Sequence, residues 1–484
     1  MKGVVAAGDP QSAEAGARML REGGNAVDAA VATAFAAFVC ELPLCSPLGG
    51  GAMLVELPGG AAHAIDMFAR APSGPKTNMD FHDVTVSFRV VEQVFHVGRA
   101  AAAVPLALPG LLEAHRRWGT RPLADVVAPA VTLAKQGWTL GPGVGFVFRV
   151  LEPIANVTPA CRALYCVRGG SEMANVGDVL VNPDLGAALE DLANKPSFLA
   201  DLFAAFAREF GPAQGGLVTE TDVANARIAE HAPVHVNRGD WELATMPSPS
   251  TGGRLVARGL ELHAGDGTKH AFLSEEHLLR VARVQEMLLA ERASENELGS
   301  TTHISAIDER GTAVSLTLTN GEGCGHVVAG TGMIVNNLLG EEDIHPRGFH
   351  KDPPGAPLAT MMAPTILRNG AKRIALGSGG SNRLRNAILQ VLVAMLEHGV
   401  DVKTAVAAPR IQIERDIGRY RAAFEDVGLD RSVAAALSAR YPDACRLFTE
   451  LNLYFGGVHV AIANGDGTFA GAGDPRRGGA VSIA

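Results

Sequence analysis

Hydrophobic and polar positions in the first third of the chain follow a helical period that glycines interrupt. Between Pro10 and Gly23, apolar residues fall on one side of a helix and charged residues on the other, which predicts a surface helix that a glycine pair ends. Asn25 is a favourable cap for a second helix, Ala26 to Val39. That helix is apolar on nearly every side and is therefore predicted to be buried.

The same patterning predicts further elements before residue 300. Strands are expected where apolar runs follow turn residues, and helices where the apolar positions repeat every three or four residues. The predicted elements are a strand over Ala52 to Leu57, a helix opening at Leu108, a helix over Leu123 to Gln136, a helical region with one polar face from Pro183 to Asn237, a strand over Val234 to Met246 and an amphipathic helix over Glu275 to Arg292.

The pattern changes to β-branched and alternating residues after Ser300. Thr302 to Ile307 and Ala313 to Thr319 are predicted strands, and the four residues Asp308 to Gly311 form a hairpin link between them. Later strands are predicted at Met333 to Val335, Thr365 to Leu367, Arg373 to Leu376 and Val458 to Ile462, with a buried helix over Asn386 to His398. Helices between strands, with hairpins rather than crossovers, favour an α+β layered fold.

Composition and charge narrow the functional classes. The 484 residues correspond to two or three domains, or to one large enzyme fold, and a 47% hydrophobic content excludes disordered and fibrous classes. A net charge of −9 over this length makes nucleic acid and anionic membranes poor partners. Six cysteines without a metal or redox spacing indicate buried thiols. The longest apolar run, Ala29 to Cys40, is shorter than the about 20 residues of a membrane span, and no secretory signal is evident, so a cytoplasmic location is predicted.

The segment with the most distinctive chemistry begins at Thr301 and Thr302. Threonine is a common strand residue, which is the simpler explanation of the pair. The alternative is that the bond before Thr301 is cut, so that its hydroxyl becomes a nucleophile at a new N-terminus. The freed α-amine, with a reference pKa of about 7.7–8.0, can then serve as the base for that hydroxyl. One residue would thus supply both nucleophile and base.

Two further features match an N-terminal threonine nucleophile. Glycines at Gly377, Gly379 and Gly380, predicted to lie between a strand and a helix, allow backbone N–H groups to converge on an oxyanion. A plain strand-to-helix turn or a phosphate loop is the competing interpretation, although no lysine follows as it does in a Walker loop. Thr319, at the end of the second hairpin strand, could place its hydroxyl beside Thr301, although cross-strand threonine pairs are also common structurally.

Several short segments match a known family in their order along the chain. The segments are Gly23 to Val31, Gly49-Gly50-Gly51, Leu108-Pro109-Gly110, Met246 to Gly253, Thr301-Thr302-His303, Asn336-Asn337 and Gly473 to Arg477. Together they resemble the gamma-glutamyltranspeptidases, which are N-terminal nucleophile hydrolases, over nearly the whole chain. The resemblance implies an α+β fold of the four-layer αββα sandwich type.

The resemblance also implies a processing event and a set of catalytic residues. Self-cleavage between Ser300 and Thr301 would give a large subunit of residues 1–300 and a small subunit of residues 301–484, together forming one αββα domain. Thr301 is the implied nucleophile, Thr319 its hydroxyl partner, and Gly379 with Gly380 the oxyanion hole. No metal or organic cofactor is implied. The implied partners are a small amide or gamma-glutamyl-type substrate and the other cleaved subunit, with a dimer of these pairs as a further expectation.

This sequence departs from the family in the segments that bind the glutamyl group. The family arginine that pairs with the α-carboxylate falls at Phe68, and Arg70 stands two residues later, where it could substitute in part if the segment is a strand. The family asparagine two residues beyond the second threonine is displaced to Asn320. A glutamate or glutamine of the family is replaced by Leu338. The aspartate that holds the α-amino group corresponds to Glu341.

The serine pair of the family corresponds loosely to Ala359-Thr360. The predicted substrate-binding residues are therefore Arg70, Asn320, Glu341 and Thr360. Because an arginine–carboxylate pair is strong and specific in geometry, its loss should change which acyl group binds. The leading hypothesis is a gamma-glutamyltranspeptidase-like amidohydrolase or acyltransferase with altered acyl specificity. The alternatives are an acylase or biosynthetic hydrolase without gamma-glutamyl activity, and an uncleaved, inactive homologue that acts as a binding protein.

Overall fold

The computed structural model describes nearly the whole chain. The described ranges are 1–87, 92–167, 171–265, 267–291, 301–345, 347–380, 383–416, 419–442 and 444–484. Ser300, which precedes the predicted nucleophile, and Ser381, which follows the glycine pair, lie outside these ranges.

Strands occur along the entire chain, and they are densest after residue 300. Their bounds are β1 Gly3–Ala7, β2 Gly50–Glu56, β3 Ala62–Met67, β4 Ala69–Arg70, β5 His82–Ser87, β6 Glu92–Val97, β7 Val104–Pro105, β8 Trp138–Thr139, β9 Val179–Leu180, β10 Ala229–His231, β11 Val234–Arg238, β12 Trp241–Thr245, β13 Thr302–Asp308, β14 Ala313–Thr319, β15 Val327–Val328, β16 Met333–Ile334, β17 Thr365–Asn369, β18 Lys372–Gly379, β19 Ile411–Asp416, β20 Arg419–Glu425, β21 Cys445–Phe448, β22 Gly457–Ala463, β23 Phe469–Ala472 and β24 Ala480–Ile483.

Helices fill most of the segments between residues 107 and 290. Their bounds are α1 Pro10–Arg21, α2 Ala26–Cys40, α3 Ala107–Trp118, α4 Leu123–Gln136, α5 Pro142–Val150, α6 Glu152–Ala155, α7 Pro159–Ala163, α8 Pro183–Asn194, α9 Phe198–Glu209, α10 Glu220–Asn225, α11 Gly252–Ala264, α12 Glu275–Ala290, α13 Leu384–Leu396, α14 Val402–Ala407 and α15 Arg431–Arg440. Short 3-10 turns complete the set, among them the turn Pro475–Arg477.

Two antiparallel sheets stack on each other in the centre of the molecule. The first sheet has the strand order β10-β3-β2-β14-β13-β1-β24, and the second has the order β11-β12-β17-β18-β22-β23. Each sheet therefore contains strands from both sides of residue 300. The molecule is one fold rather than the two or three separate domains that the length alone allowed.

Helices cover the outer face of each sheet. On the first sheet, α1 and α2 pack against β1, β13 and β14, while α11 and α13 pack on the second sheet. The even-numbered residues of β13, such as Ile304 and Ala306, face α2, whereas Ile307 packs in the layer between the sheets with residues such as Ala375. This alternation is that of a strand buried on both faces. The predicted four-layer αββα sandwich is confirmed.

The layer between the two sheets contains a polar cluster centred on His303. Its ring nitrogens bond to the hydroxyls of Thr317, at 2.9 Å, and Ser305, at 3.0 Å. A Cβ at Gly377 would lie 2.3 Å from Cε1 of the ring, so the missing side chain there makes room for the imidazole. Burial holds the pKa of His303 well below its ordinary value. His303 is therefore a neutral structural group in the structure.

Local sequence explains why α2 begins and ends where it does. Asn25 and Asp28 form a capping box at its N-terminus, and the Asp308 carboxylate accepts the N–H of Ala26 at 2.9 Å. This last bond ties the helix to the β13–β14 hairpin. All residues of α2 are buried, as the nearly uniform apolar pattern predicts.

Some predicted elements differ from those in the structure. The single strand predicted over Val234 to Met246 is wrong, because β11 and β12 form a hairpin that turns at Gly239, where φ is 56°. The helical region predicted to extend to Asn237 also contains β10, at the edge of the first sheet. Gly377 and Gly379 lie within β18 rather than after it, because the ladder to β22 continues as far as Gly379 and Gly457.

Candidate active site

Thr301 and Thr319 lie at the same end of the first sheet. In the β13–β14 ladder Thr302 faces Leu318, and one further step of this antiparallel register places Thr301 opposite Thr319. Thr319 in turn faces Gly50 of β2. Both threonines are buried, at 4% and 5% exposure. The sheet thus brings the two hydroxyl-bearing residues together as the sequence suggested.

The end of β18 in the second sheet meets Thr301 closely. A Cβ at Gly379 would lie 2.1 Å from the Thr301 carbonyl oxygen, a distance that real side chains do not adopt. Gly380 has φ of 119°, and a Cβ there would lie 2.8 Å from Cα of Gly456. Only glycine fits either position. The two predicted oxyanion residues therefore sit where the two sheets converge on Thr301.

Arg477 is a site residue that the sequence analysis did not assign. Its Nη1 donates to the Thr301 carbonyl oxygen at 3.0 Å, and its guanidinium also borders the positions of Gly379 and Gly380. Burial lowers the pKa of Arg477 to about 10, which still leaves the side chain charged at neutral pH. The segment Gly473 to Arg477 is one of the family matches, so the sequence contained an indication that Arg477 matters, although not what it binds.

A buried ionic cluster supports the turn that carries Arg477. The Asp474 carboxylate accepts from Arg410, at 2.6 Å, from Arg476, at 3.2 Å, and from the N–H of Val458, at 2.8 Å. Burial alone would raise the pKa of Asp474, but the two guanidinium charges lower it to about 2. Arg476 also pairs with Glu425. The cluster of Arg410, Asp474, Arg476 and Glu425 therefore balances two positive charges with two negative ones.

Asn320 and Glu341 come together next to Thr319. The N–H of Gly321 donates to Oγ1 of Thr319 at 3.0 Å, and a Cβ on Gly321 would lie 2.5 Å from Oε1 of Glu341. Asn320 is fully buried, and its carbonyl accepts the N–H of Asn337. These residues form one corner of the site, in which the Asn320 side-chain amide has no hydrogen-bond partner among the described residues.

Thr360 lies on a different segment from the threonine pair. Its carbonyl oxygen accepts the N–H of Thr251 at 2.8 Å, and Ser250 forms a bridge with it. Oγ1 of Thr360 accepts the N–H of Met362 at 3.2 Å. Apart from the local bond to Met362, these contacts connect Thr360 to the Met246–Gly253 turn rather than to Thr301.

Phe68 and Arg70 occupy different surroundings. Phe68 is buried, and its ring and carbonyl border Gly50, which faces Thr319 across the sheet. The Arg70 guanidinium pairs with Asp66 at 2.9 Å and donates to the carbonyl of Arg227, also at 2.9 Å. An aromatic ring thus borders the strand residue that pairs with Thr319, while the arginine charge is already balanced by a carboxylate.

Comparison with known proteins decides the family. The sequence profile described as gamma-glutamyltranspeptidase matches residues 12–293 and 270–484. The chain belongs to the gamma-glutamyltranspeptidase family. It is 29% identical to the acylase ACY 1 proenzyme of Pseudomonas sp. (strain V22), covering 97% of this chain and 91% of that one. It is 28% identical to the glutathione hydrolase proenzyme of Bacillus subtilis (strain 168), covering 99% and 91%.

The fold of this family member is shared with a solved acylase. The cephalosporin acylase from Bacillus halodurans superposes with a TM-score of 0.81 at 21% identity, covering 99% of this chain and 95% of that one. The expectation of a gamma-glutamyltranspeptidase-like hydrolase is therefore confirmed at the level of family and fold. Within the described ranges no helix is long and apolar enough to cross a membrane, and no group of three metal-ligating side chains converges. The cytoplasmic location stays a prediction.

A side chain at Gly379 should disturb the backbone around Thr301. In Gly379→Ala the new methyl group would collide with the Thr301 carbonyl, so we expect the predicted cleavage at the bond before Thr301 to be slower by about 100-fold or more. Intact-mass analysis against time measures the cleavage. Gly141→Ala is the matched control, since a Cβ there meets only Asp9, at 3.6 Å. Wild-type cleavage in the Gly379 variant would contradict the assignment.

Removal of the Asp474 carboxylate should destabilise the protein strongly. Asp474→Asn leaves Arg410 and Arg476 underneutralised in a buried position, for which we expect a loss of about 3–5 kcal/mol in the free energy of unfolding at pH 7. Urea unfolding measures this loss. The exposed Asp466→Asn serves as the control and should change stability by less than about 1 kcal/mol.

The stability lost in Asp474→Asn should also depend on pH. A carboxyl whose folded-state pKa is depressed stabilises the protein above its unfolded pKa of about 3.9, and this contribution is lost as the pH falls toward 2. The difference in stability between wild type and Asp474→Asn should therefore narrow between about pH 4 and pH 2. A constant difference across that range would show that the charge of Asp474 is not the cause.

Proposed function

We propose that this chain is an amide-cleaving N-terminal threonine hydrolase whose nucleophile is Thr301, freed by self-cleavage after Ser300. The observation that carries the proposal is the convergence of Thr319, the glycine end of β18 and Arg477 on Thr301. Family membership supports the reaction class, and two similar proteins are named proenzymes.

The chemistry of the proposed site proceeds through an acyl-enzyme. The α-amine of Thr301 takes the proton of its own hydroxyl as the oxygen attacks the substrate carbonyl. The N–H groups of Gly379 and Gly380 stabilise the resulting oxyanion. The proton passes to the leaving amine as the C–N bond breaks, which leaves an ester on Thr301. Water or an acceptor amine then attacks that ester and regenerates the hydroxyl.

The interleaved topology supports the division into subunits of residues 1–300 and 301–484. In the first sheet, β1 from the large segment lies between β13 and β24 from the small one, and β14 pairs with β2. In the second sheet, β12 pairs with β17. Cleavage would therefore leave two chains joined by ladders of backbone hydrogen bonds. We propose that they remain associated, with a dimer of these pairs as the larger assembly.

We propose that the residues Phe68 and Leu338, called the acyl wall here, change which acyl group the site accepts. Phe68 stands where the family arginine would pair with an α-carboxylate, and Leu338 is fully buried nearby in the apolar layer. The charge of Arg70 is balanced by Asp66. An acyl group without a free amino-acid end suits this wall better than a gamma-glutamyl group. The acylase name of one relative agrees with this reading.

Gamma-glutamyl hydrolysis or transfer is the second candidate activity. Asn320 and Glu341 lie beside Thr319, at the positions from which the resemblance predicts contacts to an amino-acid substrate. A buried Asn320 amide with no partner among the described residues is also free to bond to a ligand. A relative named glutathione hydrolase is consistent with this activity.

Substitution of Thr301 separates an enzyme from an inactive binding protein. Thr301→Ser should retain part of the cleavage because serine keeps the hydroxyl, whereas Thr301→Ala should remain a single chain of 50.3 kDa. Denaturing gels and N-terminal sequencing measure both. A single uncut band in the wild-type protein as well would favour the binding protein.

A panel of anilides separates the two candidate activities. We expect kcat/KM for a simple acyl anilide to exceed that for the gamma-glutamyl anilide by at least about tenfold, because no buried arginine–carboxylate pair is expected at Phe68. Arg70→Gln should raise KM for the gamma-glutamyl member alone if Arg70 replaces the family arginine. Preference of the wild type for the gamma-glutamyl member would contradict altered specificity.

A further inference from the structure

The buried carboxylate of Glu41 contacts Thr302, the residue that follows the proposed nucleophile. Glu41 follows the last residue of α2, is completely buried and accepts a hydrogen bond from Oγ1 of Thr302. Thr302 is the first residue of β13, and its side chain points toward the helical layer, opposite to the side that faces the second sheet. The end of α2 therefore contacts the strand that carries Thr301.

The backbone around Glu41 is shaped to admit this contact. A Cβ at Gly8 would lie 2.2 Å from Oε2 of Glu41 and 2.8 Å from Oγ1 of Thr302, so any side chain there would separate the pair. The carbonyl of Glu41 accepts the N–H of Leu44, and the carbonyl of Leu44 accepts the N–H of Asn320. The segment after α2 thus also reaches the corner of the site next to Thr319.

Several titratable or charged groups face Glu41 from the surrounding elements. They are Asp9 between β1 and α1, Cys40 at the end of α2, Cys45 in the segment that follows α2, and Arg477 on the 3-10 turn. Arg477 is the cation among these groups, and it also donates to the Thr301 carbonyl. Arg477 therefore binds the Thr301 carbonyl, and Glu41 binds the side chain of the next residue, Thr302.

We propose that Glu41 is a positioning residue for Thr301, acting through its bond to Thr302 and its opposition to Arg477. The inference rests on the proposed function, since it concerns how Thr301 is aimed. A carboxylate acceptor gives a stronger bond than a neutral acceptor. Arg477 fixes the Thr301 carbonyl and Glu41 fixes the Thr302 side chain, and these two anchors together restrict the direction of the Thr301 hydroxyl.

The ionisation of Glu41 gives this arrangement a pH dependence. Burial raises the pKa of Glu41 to about 7, with the hydrogen bond from Thr302 opposing the shift and the Asp9 charge adding to it. Protonation near neutrality would remove the charge opposite Arg477. The pKa of Glu41 is higher in the folded protein than in the unfolded chain. The free energy of unfolding therefore falls as the pH rises from about 4.3 to about 7. Such a cost is typical of a group kept for function.

Self-cleavage provides a test that needs no substrate. Uncut protein is made by brief cell-free synthesis, exchanged into buffers from pH 5.5 to 9, and followed by intact mass. Thr301 has no free amine before the cut, so that amine cannot contribute to the pH dependence. Wild type should cleave more slowly below pH 7, whereas Glu41→Gln should cleave about 10- to 100-fold more slowly at pH 8 and lose the change near pH 7.

Two further variants separate positioning from folding. Glu56→Gln removes another buried carboxylate of the first sheet, which pairs with Arg373 at 2.6 Å and lies six residues along β2 from Gly50, about 20 Å away. It should lower stability yet keep the wild-type pH profile. Thr302→Val should slow cleavage as Glu41→Gln does, and the double variant should be no slower than either single one.

The outcomes distinguish this inference from the function on which it rests. Glu41→Gln should be at least as stable as wild type at pH 8, because it removes a disfavoured buried charge. Wild-type cleavage together with unchanged rate and pH profile in Glu41→Gln would overturn the role of Glu41 alone. A wild-type protein that never cleaves would overturn the proposed function and this inference together.

Discussion

The close approach of two backbones at the ends of the central sheets is the constraint on which the site depends. Thr301 and Gly379 belong to different sheets, and their contact leaves no space for a Cβ. Sheets normally pack about 10 Å apart through interdigitating side chains. Contact between main chains at one end therefore requires glycines there, while His303 and its hydroxyl partners fill the layer farther along.

The buried charges near Thr301 and Gly379 form two groups. The first group is the cluster around Asp474, in which Asp474 and Glu425 pair with Arg410 and Arg476 and stabilise the Pro475–Arg477 turn. The second group is Arg477, which extends from that turn to the Thr301 carbonyl and interacts with the charge of Asp474 first and that of Glu41 second. An isolated buried guanidinium would be costly, so the Asp474 carboxylate helps to keep the Arg477 charge beside Thr301.

Local sequence patterns predicted the elements with strong periodicity and missed the contacts made across the fold. Leu123 to Gln136 and Ala313 to Thr319 have their predicted bounds, because helix and strand periods are local properties. The prediction joined β11 and β12 into one strand, although the sequence contains Gly239-Asp240, a pair typical of a two-residue hairpin turn. Arg477 and Glu41 escaped assignment because their partners are far away in sequence, and only the folded chain brings them to Thr301.

The two halves of the site differ in how easily substitution can change them. The proposed nucleophile, base and oxyanion donors belong to one residue and to main-chain N–H groups, so the sheets set their geometry and changes of side chain elsewhere leave it in place. The acyl wall instead consists of side chains such as Phe68 and Leu338, whose replacement alters recognition without moving the backbone. Divergence among members of this fold should therefore concentrate on the wall. In this chain the Phe68 ring borders Gly50, the residue that pairs with Thr319, and so illustrates a wall that can differ while the two sheets stay in place.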